Sequence, residues 1–240
     1  MGNAEDRGDP PWADRLRELL LPAMHDLLER SGIEGSGAYN YYDSRIRLGQ
    51  VFLEYEIALA RKLLSCGLGV HRVDEVGSGF GQLMFLLGWN GFKTVGFEAN
   101  PLRGRSAATL RGMLQRVEPA LTANVRLVRA EFPARFGPRP QPGSMVLTTN
   151  LVASCSRPGQ LAVLRAMRRY PFVLSDVQRF FDYRTERHQE PEALALFAEA
   201  GLRDPELFLD LGAGGRYYLF TNPVRRGFGL ASTLRRFWPV

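Results

Sequence analysis

From Pro11 to Arg30 apolar residues return every three or four positions, with Trp12, Leu16, Leu19, Leu20, Ala23, Leu27 and Leu28 on one side. That spacing predicts an amphipathic helix, with Pro22 as the place where it would kink. A second helical pattern runs from Gly49 to Leu64. Between them, 31–37 reads as a loop. Residues 38–47, AYNYYDSRIR, follow neither pattern and crowd three tyrosines, an asparagine, an aspartate and two arginines into ten positions. From residue 72 short apolar runs alternate with longer helical ones. Strands are predicted at 72–76, 93–97, 125–130, 144–149 and 171–175, and helices at 82–89, 101–117, 158–169 and 191–200. Asn100 before Pro101 reads as a helix N-cap, and Gly201 as a helix stop. Strands at 206–211 and 216–221 form a hairpin across Gly212-Ala213-Gly214-Gly215. Residues 132–143, FPARFGPRPQPG, hold too much proline for a full helix, so the crossover between the third and fourth strands is expected to be short or to lack its helix. Strands alternating with helices make this an α/β chain.

The candidate chemistry lies in 72–101. Gly77-Ser78-Gly79-Phe80-Gly81 separates the first strand from its helix. Glycines there allow a sharp turn and let a ligand approach main-chain N–H groups at a helix N-terminus. Glu98, at the end of the second strand, follows Gly77 by 21 positions. That is close to the offset at which an acid meets the ribose hydroxyls of a nucleoside cofactor. Glu75 stands two residues before Gly77.

The order acidic, apolar, Gly-x-Gly-x-Gly resembles motif I of the class I S-adenosylmethionine-dependent methyltransferases. A dinucleotide fingerprint would want glycine at 82, where this chain has Gln. The resemblance covers about 70–222. It implies a three-layer, doubly wound, seven-stranded and mostly parallel sheet under an N-terminal helical lid, with S-adenosylmethionine as cofactor. On that reading Glu75, Gly77, Ser78, Gly79 and Gly81 line the cofactor, and Glu98, followed by Ala99, takes the ribose. Glu131 and Phe132, ending the third strand, take the adenine. Asn150, after the fourth strand, faces both cofactor and acceptor. The chain divides into a disordered start (1–10), a lid region (11–69), the cofactor domain (70–223) and a basic, aromatic tail (224–240). Tyr39, Tyr41, Tyr42 and Arg45 in the lid and Asp176 after the fifth strand are the candidate substrate contacts.

Composition narrows the picture little. The net charge of +6 comes almost wholly from arginine, which suits an acidic partner such as nucleic acid but equally a GC-rich coding bias. Two cysteines without metal-type spacing suggest neither a disulfide framework nor zinc. No apolar run is long enough for a membrane span, and the polar start does not resemble a secretory signal, so a cytoplasmic location is expected. Asn150 is followed by Leu-Val-Ala and lacks the Pro-Pro-aromatic grip of enzymes that methylate base or side-chain amides. His188 is the candidate general base and Asn150 a second catalytic candidate; no metal is expected. The favoured function is methyl transfer to oxygen or nitrogen of a small or saccharide-like molecule. The rivals are an RNA or protein methyltransferase, and a non-catalytic scaffold that binds a partner or membrane through its tail.

Overall fold

The computed structural model describes residues 9–31, 40–132, 140–149, 156–176, 190–212 and 215–222. Three helices come first: α1 (Pro11–Ser31), α2 (Asn40–Arg47) and α3 (Glu54–Ser65). Then follow β1 (Arg72–Val76), α4 (Gln82–Trp89), β2 (Lys93–Glu98), α5 (Pro101–Val117), α6 (Pro119–Ala123) and β3 (Val125–Arg129). The chain continues with β4 (Ser144–Thr148), α7 (Arg157–Met167), β5 (Phe172–Asp176), α8 (Glu190–Glu199), β6 (Glu206–Asp210) and β7 (Arg216–Thr221).

The seven strands form one sheet in the order β3-β2-β1-β4-β5-β7-β6. All neighbours are parallel except β7, which runs antiparallel to both β5 and β6. This is the doubly wound, mostly parallel architecture expected. Central strands covered on both faces are usually apolar; β1 and β4 are buried at every position, yet β1, RVDEV, carries Arg72, Asp74 and Glu75. One face packs against α1, α3, α4, α5 and α6 through Leu16, Leu20, Leu59, Phe85, Leu110 and Leu121, among others. The other packs against α7 and α8 through Leu164, Met167, Leu196 and Phe197. α4 is buried from Gln82 to Gly88, and the missing side chain of Gly88 lets it settle on β3, since a β-carbon there would lie 2.6 Å from Val125 Cγ2.

Three local features differ from expectation. The second helical pattern does not begin at Gly49: that glycine has φ +73°, and α3 starts five residues later, after an extended Leu53. The tyrosine-rich segment is partly helical, as α2, and α6 was not anticipated. Between β3 and β4 the described residues 130–132 and 140–143 contain no helix, as their prolines suggested; 133–139 lie outside the described residues. So do 1–8 and the tail after residue 222.

Candidate functional site

The strand order reverses between β1 and β4, which run outward to opposite sides of the sheet. In open α/β sheets that reversal opens a crevice at the C-terminal strand ends, where ligands bind. The glycine turn lies at this point. Gly77, Gly79 and Gly81 have φ of +78°, +58° and +84°, a region that side-chain-bearing residues seldom adopt. The N–H groups of Gly77 and Ser78 donate to the Phe97 carbonyl at 2.8 and 3.0 Å. The Glu98 carboxylate accepts from Gly79 N at 2.9 Å and from Asn100 N at 2.8 Å. The end of β2 therefore clamps the turn. Gly96 makes room for it: a β-carbon there would lie 2.6 Å from Ser78 Oγ.

Glu75 spans the crevice. Its Oε1 accepts from Thr149 Oγ1 at 3.2 Å, while Oε2 has no hydrogen-bond partner among the described residues. Ser78 Oγ, in the turn after β1, and Thr148 Oγ1, at the end of β4 on the opposite face of the sheet from Glu75, are likewise buried and without partners among the described residues. Such atoms are unusual, because a buried polar group left unpaired is costly, and two of them, Glu75 Oε2 and Ser78 Oγ, belong to the end of β1 and the turn that follows it. Burial, with the charge of Glu56 and then of Glu98 adding to it, pushes the Glu75 carboxyl up to about 8 despite the Thr149 bond. At neutral pH it is therefore mostly protonated and able to donate.

The segment before β1 covers this turn. The Tyr42 ring stacks on Phe80 with centroids 4.1 Å apart and planes 11° from parallel. Its hydroxyl stands directly over Gly79, where any β-carbon would collide with it. Arg103, from the first turn of α5, lies over the other side of the ring, 5.9 Å from its centroid. Burial pushes the Tyr42 phenol well above its usual range, so it stays protonated. Behind it, Arg45 is buried, pairs with Glu56 at 3.4 Å and donates to the Val51 carbonyl at 3.2 Å. Gln82 Nε2, from the first residue of α4, donates to the same carbonyl at 3.0 Å. Glu56 also accepts from Leu53 N at 2.6 Å. These bonds fasten the 49–53 connection to the helix that leaves the glycine turn.

Glu75, Gly77, Ser78, Gly79, Gly81, Glu98 and Tyr42 thus form one neighbourhood, with Ala99 exposed at its rim. Arg45 belongs to the fastening beneath. Glu131 is exposed after β3, and Phe132 packs edge-on against Phe97 at 5.3 Å. Asp176 is buried at the end of β5. Tyr39, Asn150 and His188 lie outside the described residues, and Tyr41 sits in α2 with its side chain outside them. Sequence reasoning missed Gln82, Glu56, Thr149 and Arg103. Gln82 carried a signal, as the single polar residue in the run QLMFLLGW.

The seven-stranded sheet with its reversed β7 finds counterparts among solved structures. A TehB-like SAM-dependent methyltransferase from Corynebacterium glutamicum superposes with TM-score 0.52 at 14% identity, over 77% of this chain and 97% of that one. The fold is that of the class I methyltransferases. The magnesium protoporphyrin IX methyltransferase of Synechocystis with bound SAM aligns with TM-score 0.50 at 14% identity, over 92% of this chain and all (100%) of that one. Human N-acetylserotonin methyltransferase in complex with SAM gives 0.51 at 15% identity, over 88% of this chain and 65% of that one. No family model matches the sequence, and no curated protein matches it. Among the described residues no group of His, Cys, Asp or Glu is arranged to hold a metal ion, and no helix is long and apolar enough to cross a membrane.

Proposed function

We propose that the chain is an S-adenosylmethionine-dependent methyltransferase acting on a hydroxyl or amine of a small or saccharide-like molecule. The observation that carries this reading is the pair of buried polar atoms, Glu75 Oε2 and Ser78 Oγ, without partners among the described residues, beside a glycine turn at the sheet's reversal point. A polar ligand with several donors and acceptors would satisfy them. Each Glu98 oxygen already accepts one backbone N–H and retains capacity for a second bond, as ribose recognition requires.

When bound there, S-adenosylmethionine supplies a methyl group already activated on a sulfonium. The protein's task is then alignment and exclusion of water. Glu98 would hold the ribose end, and the protonated Glu75 would meet the polar end at the β1–β4 crevice. Tyr42 covers the turn, so its hydroxyl and ring face whatever lies along Gly79. The structural likeness to methyltransferases supports the cofactor; the small acceptor is supported by the cover that α2 lays over the turn, which narrows the approach. Asn150, His188 and Asp176 are the groups to test on the acceptor side.

Calorimetric titration with S-adenosylmethionine and, separately, with NAD tests this. Micromolar binding of the former alone, weakened by tenfold or more in Glu98→Ala, is the expected result. Equal binding by wild type and variant would remove Glu98 from the site, and binding of NAD alone would overturn the reading.

A further inference from the structure

We propose that the methyl acceptor is an amine, held as its ammonium by Asp176 at the end of β5 and against the rings of Tyr55 and Tyr217. This deepens the methyltransferase reading above and rests on it. The register of the sheet places these groups together. Leu147, Leu174 and Leu219 stand side by side across β4, β5 and β7 and belong to the apolar core on the α3–α4 face. Two positions nearer the crevice, on that same face, the row turns polar. Thr149 follows β4, Asp176 stands one step past the paired Thr148 and Ser175, and Tyr217 faces Asp176 across the antiparallel pair. Side chains directly opposite in such a pair have β-carbons about 5 Å apart.

Two further groups complete the row. Tyr55, in the first turn of α3, stacks on Tyr217 with ring centroids 6.1 Å apart and planes 25° from parallel. Glu75 reaches in from β1: its Oε1 accepts from Thr149, and its Oε2 has no partner among the described residues although the residue is only 3% exposed. The row lies beyond the groups assigned to the cofactor. The glycine turn and Glu98 belong to the ends of β1 and β2, whereas β5 is two strands from β1 in the opposite direction, roughly 10 Å at the usual spacing. Asp176 and Tyr217 therefore stand on the acceptor's side, with Glu75 between the two ligands.

Charge selects the acceptor's class. Asp176 and Glu75 bring two buried carboxyl groups to the row, and the charges acting on Glu75, those of Glu56 and Glu98, are negative as well. Of the nearby cations, Arg45 pairs with Glu56, and Arg103 lies over Tyr42 on the cofactor side. A further carboxylate or phosphate buried there would be repelled, and a neutral hydroxyl gains little from the field. An ammonium offsets it, and the faces of Tyr55 and Tyr217 attract the same charge. The Asp176 carboxylate can also accept the proton that an ammonium must lose before its nitrogen becomes a nucleophile.

The test measures binding, with S-adenosylhomocysteine, whose sulfur is uncharged, in the cofactor's place. Calorimetric titration of the full chain with phenethylamine, 2-phenylethanol and phenylacetate compares one body bearing an ammonium, a hydroxyl and a carboxylate. The amine should bind about tenfold more tightly than the alcohol, and the acid not measurably. Asp176→Asn removes the charge at nearly the same shape and should bring the amine to the alcohol's affinity. Tyr55→Leu, at a half-buried position, should weaken the amine about threefold and the alcohol less, and it decides the matter if Asp176→Asn fails to fold. An alcohol bound as tightly as the amine, a preference that survives Asp176→Asn, or equal losses of both ligands in Tyr55→Leu would overturn the proposal. Failure of S-adenosylhomocysteine itself to bind would overturn it together with the methyltransferase reading, which keeps the two failures apart.

Discussion

At the scale of single residues, Glu75 is the group with the most to reveal. It is buried on a central strand with one oxygen on Thr149 and the other without a partner among the described residues. Its folded pKa, about 8, lies above its ordinary value. Between the two, the folded chain holds a proton that the unfolded chain has lost. Stability therefore falls as pH rises from about 5 through 8, and the part due to Glu75 is fully lost above that range. Glu75→Gln keeps the shape and the donor but cannot ionise, so its stability should lose that slope. Thermal melts of both proteins from pH 5 to 9 check this: curves that converge near pH 5, and a gap in the variant's favour that opens between pH 5 and 8 and levels off above, are expected. Parallel curves would mean that the carboxyl titrates normally. The same substitution should leave cofactor binding at pH 7 intact and abolish any weakening near pH 8, because the protonated acid is the state that donates.

At the scale of elements, the sheet was legible because glycine or proline punctuates nearly every strand, and each strand lies within a residue or so of where the apolar runs put it. The glycine turn and Glu98 were legible for a related reason: a positive φ, and a carboxylate that clamps the turn from the end of the next strand, leave residue types behind. The lid was less so. Val51, Phe52 and Leu53 continue the apolar pattern of α3, yet the chain there is not helical, and the Val51 carbonyl is tied to Arg45 and Gln82, the latter 31 positions away in sequence. Nothing local encodes that, and nothing local says that Tyr42 will lie on Phe80. Gln82→Leu tests whether this fastening matters. Loss of one buried hydrogen bond, with Arg45 still serving Val51, should cost about 1 kcal/mol. Because the loss falls on the lid, trypsin should cut after Arg47 faster in the variant, by local opening. A stability loss without faster cleavage there would make Gln82 an ordinary core residue.

At the scale of the whole molecule, the two halves of the sheet meet at β1, and a polar network on the α7–α8 face helps hold them. Asp74, fully buried in mid-strand, accepts from Arg72 on its own strand and from the Tyr170 hydroxyl at 2.5 Å. Tyr170 precedes β5, and its carbonyl accepts from Asn222 just after β7. One carboxylate thereby links β1 to the strands on the far side of β4. Burial raises the Asp74 pKa, while the bonds from Arg72 and Tyr170 oppose that rise. Removing the phenol, Tyr170→Phe, leaves a buried carboxylate short of a donor, at a cost of about 1–3 kcal/mol. The raised pKa means that on acidification the folded state protonates first, and a neutral carboxyl misses the donor less. The cost should therefore be greatest at pH 7 and shrink toward pH 4. Urea unfolding at the two pH values measures it. A midpoint lowered at pH 7 with an unchanged m-value is the expected result, since the lost bond alters stability and not the surface exposed on unfolding. A loss that is equal at both pH values would mean that the hydroxyl's contribution does not depend on the charge of Asp74, and no loss at either would assign Tyr170 to packing against Phe132, with the hydroxyl contributing nothing.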